Sequence, residues 1–157
     1  MADHTSAHST FVVERTVNAK PARVFTAFST EEGKQRWFAG GGEWKLLRRA
    51  MDFRVGGTEH LSGEWPNGKV TQFDARYHDI VENQRMVYTY EMHVNGNRIS
   101  VSLATIELTP DGSKTRLKIT EQGVFLDGYD DAGQREHGTG MLMDRLVAAF
   151  DEDMVKA

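Results

Sequence analysis

Between residues 48 and 125 apolar and polar side chains alternate, and three turn signals punctuate the alternation: Pro66-Asn67-Gly68, Asn95-Gly96 and Pro110-Asp111-Gly112. Alternation sends successive side chains to opposite faces of a strand, and such dipeptides between alternating runs are the strongest short-range hairpin signals. The first turn lies between "TEHLSGEW" and "KVTQFDARYHDI", the second between "RMVYTYEMHV" and "NRISVSLATIELT", and the third leads into "TRLKITEQGVF". This stretch predicts an antiparallel meander of about six strands.

One segment is long enough to cover the apolar face of such a sheet. From about Asp131 to Asp153 there is no proline, and Leu142, Leu146, Ala149 and Phe150 recur at three- and four-residue steps, as the buried face of a helix requires. That helix would be about 33 Å long and would pack across the concave face of the sheet. Ahead of the meander, Phe11, Val13 and Val17 share one parity, which predicts a first strand over 10–18. Pro21 suits the first turn of a helix, and Val24, Phe25 and Phe28 form its apolar stripe. Ser29-x-x-Glu32 resembles a capping box, which predicts a second short helix from near Thr30 that ends by Phe38, with Gly40 in the left-handed conformation. The expected class is α+β: a curved antiparallel sheet of about seven strands, two short helices after the first strand and one long C-terminal helix. Residues 1–9 are expected to form a flexible tail and 10–153 a single domain.

Composition removes several kinds of function. The 157 residues include no cysteine, so disulfides, thiol nucleophiles and thiolate metal sites are excluded. A net charge of −4 argues against a nucleic-acid partner, and the one basic cluster, 45–49, is short enough for a solvated loop or strand edge. No apolar stretch approaches the ~20 residues of a membrane span, and the N-terminus lacks the features of a signal peptide, so a cytoplasmic location is expected. "GTGMLM" begins like a dinucleotide fingerprint, but Met143 replaces the third glycine and no strand runs into it. The aspartates of "DGYDDAG" lack the alternate spacing and distal glutamate of a calcium loop and read instead as a loop with a helix N-cap. The motifs of serine hydrolases, P-loop nucleotidases and zinc proteases are all missing. Neither a metal nor a cofactor is expected.

The order of elements resembles the helix-grip fold of the START and birch-pollen-allergen superfamily (SRPBCC), over about residues 10–150. "NAKPARVFTAFSTEEGKQRWF" is similar to the opening of the family named after the C-terminal domain of the activator of the heat-shock-protein-90 ATPase. "MDFRVGGTEH" resembles that family's Asp-x-Arg-x-Gly-Gly strand pair, here Asp52, Arg54, Gly56 and Gly57, and "TRLKITEQ" with "HGTGMLMDRL" resembles its last strand and helix. The family's final helix commonly carries Gly-Trp, whereas here Gly138 is followed by Thr139, Gly140 and Met141. The resemblance therefore implies either a roomier pocket beside the first half of the helix or another side chain filling the gap.

Polar side chains on the core parity of the strands would line an interior space. Leu117 and Ile119 define that parity in the last strand, and Glu121 falls on it. Met86, Tyr88, Tyr90 and Met92 share one parity, and Tyr77 shares that of Phe73, while the direction of His60 beside Leu61 is open. Trp37, His60, Tyr77, Met86, Tyr88, Tyr90, Leu117, Ile119, Glu121, Met141 and Leu142 are the candidate lining residues. The tyrosines and methionines serve equally as core packing or as an adaptable pocket wall. Glu121 is a weak catalytic candidate, able to act as a general acid or base with a phenol or histidine; the alternative is a carboxylate satisfied by Arg15, Arg98 or a backbone donor. Three functions are expected in descending order: binding of an apolar or amphipathic small molecule, contact with a chaperone as the family name implies, and cyclase-, aromatase- or hydrolase-like catalysis. Exposed sheet edges permit either a monomer or a homodimer. "WFAGGGEW" (37–44) reads as a helix stop and a turn into the sheet, with Trp37 anchoring the second helix near one end of the cavity and the loop beside it expected to gate entry.

Overall fold

The computed structural model describes residues 3–156, and side chains through Asp153. Strand β1 (Ser6–Val17) is followed by α1 (Pro21–Ser29) and α2 (Glu31–Gln35). Then come β2 (Lys45–Met51), β3 (Thr58–Glu64), β4 (Val70–Val81), β5 (Arg85–Val94), β6 (Asn97–Asp111), β7 (Lys114–Leu126) and α3 (Ala132–Lys156). The seven strands form one antiparallel sheet in the order β1-β7-β6-β5-β4-β3-β2. This is the α+β arrangement that the hairpin and helix patterns predict, and the helix-grip fold that the resemblance implies. Bulges between Leu46 and Arg48, Tyr77 and Asp79, and Met92 and His93 bend the strands locally and add to the sheet's twist.

Several boundaries differ from expectation. Strand β1 starts at Ser6, and Ser6–Ser9 pair with Leu126–Gly123, so these four residues of the expected tail belong to the sheet. Pairing continues one step further through Asp127, whose amide donates to Thr5 O at 2.9 Å and whose carboxylate accepts from Thr5 N at 2.9 Å. The N-cap of α2 is Thr30, whose hydroxyl accepts from Gly33 N at 3.0 Å; Ser29 ends α1. The left-handed glycine after α2 is Gly42 (φ 61°), two residues later than predicted. Asn95 and Gly96 both have positive φ, as a two-residue hairpin turn requires. A further tight turn at Asn83 (φ 64°) joins β4 to β5 where no glycine marks it. Residues 45–49 are the edge strand rather than a loop, and Asp131 caps α3 by accepting from Gln134 N at 2.8 Å.

The Asp-x-Arg-x-Gly-Gly stretch makes the turn between β2 and β3. Arg54 pairs with Asp52 at 2.8 Å, and Gly56 N and Gly57 O bond the backbone of Tyr77 at 2.8 and 3.0 Å. A Cβ on Gly57 would lie 2.1 Å from Asp52 O, so no larger residue fits without moving the turn.

The concave face carries two groups of buried apolar residues. One joins α1, α3, β1, β6 and β7 around Val24, Phe28, Ile106, Leu117 and Leu146. The other is Leu61, Phe73, Ala75, Tyr90 and Ala104 on the central strands. Phe38 and Tyr88 pack against both. Core material divided in this way leaves room along the seam.

Candidate functional site

A pocket of about 240 Å³ lies on that seam, walled by α2, the 37–44 loop, the concave face of β3–β7 and the first half of α3. Its walls are mostly apolar. Starting from α1, a continuous run of rings passes Phe28, Trp37, Phe38, Phe73 and Tyr90 at centroid steps of 4.9, 5.4, 4.9 and 5.0 Å. It goes on through Tyr88, Tyr77 and Phe53 to Phe25, back on α1, at 6.1, 5.9, 4.9 and 5.6 Å. Such tilted and edge-on contacts rigidify a wall more than aliphatic packing of equal area.

Polar groups enter this lining at two places. On the β7 side Glu121, 4% exposed, accepts a short hydrogen bond from the Tyr90 hydroxyl and another from Thr139 Oγ1 at 3.0 Å. Arg135 donates to the Tyr90 hydroxyl at 3.2 Å and to Ser100 Oγ at 2.8 Å, and pairs with Asp130 at 3.0 Å. Burial pushes the Glu121 pKa up, and the bonds from Tyr90 and Thr139 only partly offset it. The Tyr88 hydroxyl, also on the wall, has no hydrogen-bond partner among the described residues. Its pKa stands well above the ordinary 10.0, chiefly through burial and then through the Glu121 charge.

On the β3 side Lys34 is only 4% exposed. Its ammonium lies 3.2 Å from Glu59 Oε1 and within 4.4 to 5.9 Å of the Phe38, Trp37 and Phe28 ring centres. Glu59 also accepts a short bond from the Tyr77 hydroxyl. Burial pushes the Lys34 pKa down by more than Glu59 restores. Nearby, Arg49 donates to Phe38 O at 2.7 Å.

The candidate lining residues divide accordingly. Trp37, Tyr88, Tyr90, Ile119, Glu121 and Leu142 border the pocket. Tyr77, Met86 and Leu117 lie in the packed interior beside it. His60 is on the opposite face of the sheet, 2.7 Å from Asp74 and 3.0 Å from Ser62. Met141 is 47% exposed on the outer side of α3. The partner of Glu121 is Thr139, with Tyr90, instead of Arg15 or Arg98, which pair at the surface with Asp144 and Glu91.

Lys34, Arg135 and Thr139 border the pocket without having been singled out in the sequence. Lys34 sits in a five-residue helix, too short for a periodic stripe to reveal its buried face. Thr139 and Arg135 share a helix whose apolar stripe becomes regular only after them. The family's tryptophan position is held by Thr139, buried and bonded to Glu121, and a Cβ on the preceding Gly138 would meet nothing within 4 Å.

The 37–44 loop is packed. Trp44 lies on Gly40 and Gly63, whose Cβ atoms would fall 2.2 and 1.9 Å from it, and Arg145 of α3 donates to Ala39 O. These glycines exist for close approach, which counts against a freely swinging gate. A second pocket of about 320 Å³ opens at the surface between the β3–β4 and β5–β6 turns and the start of α3. It shares Thr71, Met92, Arg135 and Gly138 with the inner one. Among the described residues no group of three or more His, Asp or Glu is placed to hold a metal ion, and no helix is long and apolar enough to cross a membrane.

Sheet, grip helix and the pocket between them define a START-like, SRPBCC-type domain. The chain belongs to the family described as Activator of Hsp90 ATPase homolog 1-like protein, which matches residues 18–151. It is similar to an uncharacterised protein of Rhizobium leguminosarum, at 42% identity and a TM-score of 0.91, with 96% of this chain and 99% of that one covered. A Rhizobium loti protein is 43% identical, with a TM-score of 0.84 and coverages of 92% and 98%. The solution structure of an AHSA1-like protein from Aeromonas hydrophila shares the fold at 13% identity, with a TM-score of 0.72 and coverages of 92% and 94%. No curated protein is significantly similar.

Proposed function

We propose that this protein binds an apolar or amphipathic small molecule between α3 and the concave face of the sheet. The observation that carries the reading is an aromatic-walled pocket of about 240 Å³ into which only a few polar groups converge, Glu121, Tyr88 and Lys34 among them. Binding sites for small molecules have this composition, and an apolar cavity of about 150 Å³ already takes up benzene. The volume suits one or two fused rings or a short branched chain. The outer pocket at Arg135 and Gly138 supplies the route in.

Native mass spectrometry before and after denaturing extraction, followed by thermal-shift screening with aromatic and lipid libraries, tests this. A ligand at a hundred times its Kd stabilises by about 2.7 kcal/mol, which is readily seen. Gly138→Trp, built into the open space above the pocket, is expected to abolish the shift while the chain stays folded. Binding that survives this substitution, or a complete absence of ligands, overturns the reading. Contact with a chaperone rests on the family name alone; an unchanged partner ATPase rate on addition of this protein removes it.

A further inference from the structure

We propose that the pocket selects an aromatic molecule with a hydroxyl group at one end and a carbonyl or carboxylate oxygen at the other, held between Tyr88–Glu121 and Lys34. The inference deepens the ligand reading and depends on it.

The two ends ask for different chemistry. At the β7 end, Glu121 uses one lone pair on each oxygen, for Tyr90 and for Thr139, and a carboxylate offers about four acceptor positions in all. It therefore still accepts. The unpartnered Tyr88 hydroxyl, on the central strand β5 and acted on by the Glu121 charge, borders the same pocket and is free to donate. A ligand hydroxyl is the small group that satisfies both, donating to Glu121 while accepting from Tyr88. At the β3 end the Lys34 ammonium has three donors and a single acceptor, Glu59, among the described residues; its other contacts are ring faces, and the Arg49 charge also acts on it. Lys34 can only donate, so it selects an acceptor oxygen.

Distance separates the two ends. Glu59, which fixes Lys34, is on β3 and Glu121 is on β7, four strand positions away across the sheet. The Phe38, Phe73 and Tyr90 rings run between them. A flat aromatic skeleton matches the intervening wall, and its substituents then fall at opposite poles. A polar group left unsatisfied when a ligand displaces its solvent is penalised, so a ligand lacking either substituent binds more weakly than one that has both.

The test uses four naphthalene probes: an acetylnaphthol bearing its two groups at opposite ends, the corresponding naphthol, the acetylnaphthalene and unsubstituted naphthalene. Affinity is read from calorimetry and from quenching of Trp37 and Trp44, which border the pocket. The acetylnaphthol is expected to bind tightest, and each missing group to weaken binding roughly tenfold. Tyr88→Phe should erase only the advantage of the hydroxyl. Lys34→Met combined with Glu59→Gln, which removes the ammonium without stranding a buried carboxylate, should erase only that of the carbonyl. Equal affinity for all four probes overturns the two-pole assignment while the ligand reading stands. If none binds, both fall. Because Tyr88→Phe removes an unpartnered hydroxyl, it folds whatever becomes of the double variant, and an unchanged hydroxyl preference in it is itself refuting.

Discussion

Two glutamates lie in the interior, and their surroundings differ. Glu59 has a lysine 3.2 Å away, whereas Glu121 is held by two hydroxyls, with Arg135 reaching it only through Tyr90. The Glu121 pKa is raised from its ordinary 4.5, so the unfolded chain releases this proton first as pH rises. Its contribution to stability is therefore fully present below pH 4.5 and is lost as pH climbs through the folded value. Glu121→Gln, neutral throughout, is expected to lack that slope; subtracting urea-denaturation curves of the two proteins at several pH values from 4 to 8 isolates it. A difference that grows in the opposite direction contradicts the assignment. For the other pair, Lys34→Met alone leaves a carboxylate buried with only Tyr77 donating, and a broken buried pair costs about 3–5 kcal/mol. Lys34→Met with Glu59→Gln is expected to cost clearly less than the single change, which equilibrium denaturation of both variants decides.

Among the elements, α3 and β3 carry glycines for opposite reasons. Gly138 faces open space, so Gly138→Ala should add up to about 1 kcal/mol through helix propensity, seen as a higher urea midpoint at unchanged slope. Gly63 lies under Trp44, so Gly63→Ala forces the indole off the sheet and should destabilise by about 1–3 kcal/mol with a shift in tryptophan emission. Much of this level was legible in the sequence. Alternation and turn dipeptides marked the hairpins, and periodicity marked α3, because both follow from local backbone geometry. Parity also brought Glu121, Tyr88 and Tyr90 inward together. It left His60 undecided, since Glu59 is the inward polar residue of β3 and its reason, Lys34, comes from a helix far away in sequence. In sequence Gly40 looks like a left-handed stop, because its actual requirement, space for Trp44, is tertiary.

At the scale of the molecule, the first strand forms one edge of the sheet by pairing with the last strand. Residues 6–9 carry none of the apolar signal that marked 10–18, yet their backbone groups pair with 123–126, and backbone pairing leaves no trace in side-chain pattern. Deleting residues 1–9 should therefore lower Tm, by about 2–4 °C for every kcal/mol of lost pairing, instead of leaving it unchanged as loss of a free tail would. The same pairing has a consequence for synthesis. Of the strands, β1 is made first but sits beside β7, which is made last, and Thr5 meets Asp127 across 122 residues. At 5–20 residues per second, the N-terminal strand waits roughly 6–25 s for its partner. During that interval Phe11, Val13 and Val17 are borne by an edge with nothing to pair against. The apolar side of β1 therefore stays unpaired in the nascent chain until β7 emerges beside it.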